Sequence, residues 1–193
     1  MSMRRNFSLS FNLVQGAGFE RRFHGPPGEE RMNVSVMTRG ELRLAGIKVV
    51  GRRSELSHRV PLAWLELVDH LDAVPHLVDR SVLYGAFPEG DHREASLDGV
   101  YTYWACAEVS ATGALPEGVR PLVLPARTYA VARVEGTAEA IEATYLGLSR
   151  WIEAQGKRAD AQAWCLERYD ERRQKVTPPY ERFDYDVWKP LDG

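Results

Sequence analysis

The feature that most constrains this chain is a repeated order of patterned segments. Residues 41–51 (ELRLAGIKVVG) alternate Leu42 and Leu44, then change phase at Gly46 to Ile47 and Val49, as a strand with a bulge or bend would. Pro61 opens PLAWLELVDHL, where Trp64, Leu65, Val68 and Leu71 recur at helical spacing and Pro61 suits a first turn. SVLYGAF (81–87) and GVYTYWACAEV (99–109) read as strands joined by the turn-rich PEGDHREASLD. The order then returns about eighty residues later. RTYAVARVEG (127–136) is a strand, and residues 138–155 are a helix with Ile141, Tyr145, Leu148 and Ile152 on one stripe, capped by Thr137 and Gly156. AWCLERY (163–169) and ERFDYDVWKPL (181–191) supply two more strands.

Two copies of a β-α-β-β unit therefore make an α+β fold: an antiparallel sheet with helices packed on one side. Neither half carries enough core to stand alone, so the pseudo-symmetric halves pair and leave a central groove between them. The halves span residues 41–110 and 125–191, within a domain covering 39–193. The Pro-rich stretch ATGALPEGVRPLVLPA between them reads as a crossover. Residues 1–38 read as a flexible leader, because the Gly/Pro/Glu/Arg run at 25–31 has no period.

Composition narrows the function. With 25 Lys and Arg against 27 Asp and Glu, interspersed, no basic surface for nucleic acid is expected. Two cysteines fit a reducing, cytoplasmic setting rather than a disulfide scaffold, and no stretch approaches the length of a membrane span. The five His show no pair at ligand spacing, so neither a metal nor another cofactor is expected. No GxSxG occurs to suggest serine hydrolysis.

The segment Cys165-Leu-Glu167-Arg-Tyr169, followed by Phe183-Asp-Tyr-Asp-Val-Trp188-Lys-Pro190-Leu, resembles the Glu-x-Tyr strand and closing strand of the GyrI-like small-molecule-binding family. This family includes effector-binding domains of bacterial AraC- and MerR-type regulators, built from duplicated SHS2-like modules. Residues 125–136 are similar to its strand before the second helix, and Tyr145 with Trp151 to that helix's aromatic pattern; the resemblance covers residues 41–191. Residues 1–40 show no helical stripe for a helix-turn-helix, so direct DNA contact would need a separate partner.

Alternation sends Cys165, Glu167 and Tyr169 to one face of their strand, and on the strand from Gly99 it separates Trp104 from Tyr101 and Tyr103. A carboxylate among rings suits a flat, apolar, cationic molecule. The candidate ligand-binding residues are Glu167, Tyr169, Trp104, Tyr103, Tyr145, Trp151 and Tyr84; Trp64, Phe183 and Trp188 read as core. For Glu167 the competing reading is a salt bridge to Arg133 or Arg168. Three functions follow. The favoured one is a stand-alone binding or sensing protein for hydrophobic, aromatic or cationic molecules, including drugs. The second, implied by the resemblance, is a hydrolase of cyclopropane-containing toxins with Glu167 as general base and Tyr169 or Tyr103 as proton donor. The third is an inhibitor of a protein partner such as DNA gyrase, for which the chain's net charge of -2 is feeble.

Overall fold

The computed structural model describes residues 32–93, 99–111 and 113–193. Eight strands and two long helices follow in the order β1 (Val34–Arg39), β2 (Leu42–Arg52), α1 (Arg53–His70), β3 (Val82–Pro88), α2 (Glu89–Arg93), β4 (Val100–Glu108), β5 (Arg120–Leu124), β6 (Arg127–Gly136), α3 (Ala138–Ala154), β7 (Trp164–Asp170) and β8 (Phe183–Pro190). The strands form one antiparallel sheet in the order β1-β6-β8-β7-β3-β4-β2-β5. Each half contributes three neighbouring strands, and the halves meet where β3 pairs with β7, with Gly85 directly opposite Glu167. Arg39 on β1 nevertheless pairs with Glu108 on β4, so the sheet curls until its far ends approach each other.

The helices lie on one face, over Tyr101, Tyr103, Cys165, Tyr169, Tyr185 and Val187. The opposite face holds a second apolar cluster: Leu42, Leu44, Tyr84, Trp104, Cys106, Leu124, Tyr129, Leu166 and Trp188. That two-sided burial explains the phase change in β2. The strand runs unbulged against β4, and Leu42 and Leu44 face one cluster while Ile47 and Val49 face the other. The expected bulge at Gly46 is absent; glycine is needed there because a Cβ would fall 2.3 Å from the Ala105 carbonyl oxygen.

Further differences from the sequence reading have local causes. Helix α1 starts at Arg53, eight residues before Pro61, because Glu55 in its first turn accepts the Arg52 N–H at 2.7 Å and secures an earlier start. Pro61 consequently sits inside the helix. Gly156, with φ at +66°, ends α3 as expected, but Thr137 turns its hydroxyl to Glu139 instead of to the helix backbone. The crossover contains a strand, β5, which pairs with β2, and the turn-rich stretch after β3 begins with the short helix α2. Strand β1 pairs with β6 within the stretch read as leader. The rest of that reading, residues 1–31, lies outside the described residues. Among the described residues, no helix is long and apolar enough to cross a membrane.

Candidate functional site

Two opposed ladders hold β7 rigidly at the seam, since it pairs with β3 on one side and β8 on the other. Its period of two turns Cys165, Glu167 and Tyr169 under the helices. Glu167 is 2% exposed. Three phenols donate to its carboxylate: Tyr103 from β4 at 2.8 Å and Tyr169 at 2.9 Å to Oε2, and Tyr145 from α3 at 2.7 Å to Oε1. An ionised carboxylate only accepts, so three converging O–H donors suit the charged form. Burial first, then the Glu167 charge, pushes the Tyr103 and Tyr169 phenols well above their ordinary range, so both remain neutral donors. The salt-bridge alternatives lie elsewhere: Arg133 pairs with Asp184, and Arg168 with Asp186.

Beside this carboxylate is a cavity of about 40 Å³, lined by Val60, Pro61 and Trp64 of α1, Ile141 of α3, Tyr103, Glu167, Tyr169, Phe183 and Tyr185 of the sheet, and Gln174, Val176 and Tyr180 of the connection between β7 and β8. Aromatic rings supply much of this lining. Tyr169 stacks on Tyr185 with centroids 4.7 Å apart and meets Trp64 edge-on at 5.4 Å, while Tyr180 stacks on Phe183 at 5.9 Å. Tyr103 and Tyr185 stand 82 residues apart at matching places in the two halves, as do Gly85 and Glu167. The seam thus carries paired tyrosines but a single carboxylate. Gly85 makes that possible: a Cβ there would lie 2.1 Å from the Tyr103 hydroxyl and 2.9 Å from Glu167 Oε2.

The structure brings together Glu167, Tyr169, Tyr103 and Tyr145, although Tyr145 touches the carboxylate without lining the cavity. Trp104 and Tyr84 lie on the opposite face of the sheet, because their position in the two-residue period differs from that of Tyr103 and Gly85. There Lys48 sits 5.8 Å above the Trp104 ring and Tyr84 reaches Glu108. Trp151 packs against the helix-side core away from the cavity. Trp64 and Phe183, read as core, line the cavity as well. Gln174, Val176 and Tyr180 escaped the sequence reading because their segment has no period; only the aromatic character of Tyr180 could have marked it.

A second buried polar group adjoins the first. Glu89, 1% exposed, accepts from Lys189 Nζ at 2.7 Å and from the Cys165 thiol at 2.6 Å. Burial and the Glu89 charge raise the Cys165 thiol well above its usual range, which makes it a packed donor rather than a nucleophile.

Comparison with known proteins agrees with this fold. The chain superimposes on SAV2435 bound to tetraphenylphosphonium with a TM-score of 0.59 at 17% identity, covering 84% of this chain and 95% of that one. It matches the C-terminal domain of EcmrR with a TM-score of 0.59 at 14% identity, over 84% and 98% of the two chains. A hydrolase from Listeria innocua gives 0.53 at 11% identity, over 83% and 92%. At these identities the likeness shows the fold. A search of curated proteins finds no match. The GyrI-like small molecule binding domain model matches residues 32–192, almost the whole of the described fold, and the chain belongs to that family.

Proposed function

We propose that this protein binds cations with flat or aromatic surface, including drug-like ones, in the cavity beside Glu167, and acts as a sensing or sequestering module. The observation that carries the reading is a carboxylate 2% exposed, held by three tyrosine hydroxyls at the wall of an aromatic cavity. Removing a carboxylate from water costs several kcal/mol, roughly, even after relaxation, and an arriving cation offsets part of that cost. Rings around the same cation add attraction of about 0.5 to 2 kcal/mol each. Trp64 lines the cavity and so reports occupancy by its fluorescence. Titration with a panel of aromatic cations should quench it saturably in the native protein and about tenfold or more weakly in Glu167→Gln. A folded protein with no saturable response to any of them would overturn the reading.

A second reading draws on the same carboxylate. The cavity has room for roughly two or three waters beside Glu167. There Glu167 would take a proton from attacking water while Tyr169 or Tyr103 protonates the leaving carbon of an opened cyclopropane. Turnover of such a compound at equal rates by the native protein and Glu167→Gln would remove it.

A further inference from the structure

We propose that residues 171–182, which connect β7 to β8 along the cavity, form the wall that moves to admit ligand, so that this strap selects ligand size and Arg173 is its latch. The inference rests on the binding reading above. A cavity of about 40 Å³ holds water, whereas sites for drug-sized molecules run to about 300 Å³ or more, so one wall must give way.

The walls differ in what holds them. The floor is sheet, with β7 paired on both sides. Helix α1 is anchored by Leu56, Val60, Ala63, Trp64 and Leu67, and α3 by Ile141, Tyr145, Leu148 and Ile152, all buried; shifting either would expose a row of apolar side chains. The strap has no strand or helix. Across residues 175–181 its hydrogen bonds stay within the strap, from the Val176 N–H to Glu171 at 2.9 Å and from the Tyr180 hydroxyl to the Val176 carbonyl at 2.7 Å. Its closer attachments to the sheet lie near its start: the Glu171 N–H on the Ser81 carbonyl, Gln174 accepting from the Asp184 N–H, and Arg173 bridging Asp186 at 2.8 Å and Asp184 at 3.4 Å; at its end Arg182 meets Glu135 of β6 only at 3.8 Å, with both side chains exposed. Val176, Tyr180 and Gln174 face the cavity from this segment. Freeing this wall takes the breaking of one partly exposed arginine cluster, the Gln174 hydrogen bond and one exposed ion pair, and the withdrawal of one valine and one tyrosine, which makes it the least costly to move. Small cations fit with the strap latched, and larger ones bind only with it displaced.

Amide hydrogen exchange on the full chain, with and without tetraphenylphosphonium, tests the proposal. In the free protein residues 175–181 should exchange about tenfold or more faster than the buried turns of α1 and α3, and Arg173→Gln should speed exchange there and nowhere else. The phosphonium should increase exchange in the strap while leaving both helices protected, and Arg173→Gln should tighten its binding by about fivefold through a faster association rate, because the latch no longer has to be broken. Strap amides as slow as those around Leu148, exposure of α1 or α3 on binding, or an association rate unchanged in Arg173→Gln would each overturn it. Should the phosphonium fail to bind, the binding reading falls separately, and the ligand-free exchange still decides whether this wall opens.

Discussion

Substituting Gly85 by alanine probes how the carboxylate is held. The added Cβ would sit 2.1 Å from the Tyr103 hydroxyl, 2.8 Å from its Cζ and 2.9 Å from Glu167 Oε2. Neither backbone can retreat cheaply, because β3 is paired with both β4 and β7. Tyr103 must therefore swing aside, and its ring is packed between Phe87, stacked at 6.0 Å, and Trp64, edge-on at 6.3 Å. Overpacking of this kind costs about 1 to 3 kcal/mol. Losing a hydrogen bond to a charged group adds about 1.5 to 3 kcal/mol, so the expected total is about 2.5 to 6 kcal/mol. Urea unfolding followed by circular dichroism measures it, with phosphonium binding assayed on the folded fraction. Adding Tyr103→Phe removes the closest contact and should recover about 1 kcal/mol or more as a coupling in the double-mutant cycle. A Gly85→Ala protein of native stability and affinity would refute the packing argument.

Further expectations follow from other groups. Lys189→Met leaves Glu89 buried without its ammonium partner and should cost about 3 to 5 kcal/mol in urea unfolding; a loss below about 1 kcal/mol would mean that the pair is hydrated. The Arg172 guanidinium holds the Asp170 carboxyl down at about 2, so Asp170 stabilises the fold above the ordinary carboxylate range and that contribution fades as pH falls from about 4 to about 2. Arg172 is exposed, so the effect should stay below about 1 kcal/mol, and Asp170→Asn should flatten the acid side of the urea midpoint against pH. Raised phenols act at the other end: Tyr103 and Tyr169 resist ionisation while folded, so stability is intact below pH of about 10 and declines above it. Absorbance at alkaline pH should show them ionising only as the protein unfolds; free titration of every tyrosine near 10 would contradict their burial.

The fold was largely legible because its two halves repeat one pattern, and a periodic strand or helix declares itself wherever one face is buried. Strand β2 shows where that rule misleads: with both faces covered, an unbroken strand looks as if it changes phase. Glu167 and Tyr169 could be read from alternation on β7, and Tyr103 from alternation on β4. The same alternation separates Trp104 from Tyr103, so the two cannot line one groove on a single sheet face. Tyr180, Val176 and Gln174 come from a segment without period, and Gly85 contributes by the side chain it lacks. Neither kind of contribution leaves a hydropathy signal.

The most direct measurement compares two molecules of nearly the same shape and opposite charge. Titration calorimetry with tetraphenylphosphonium and tetraphenylborate separates the carboxylate from the rings, since both ions offer the same four phenyl faces. Binding of the phosphonium about a hundredfold or more tighter, with that preference abolished in Glu167→Gln, is what a buried negative charge requires. Equal affinities, or a preference for the borate, would show that Glu167 does not select the charge of what enters.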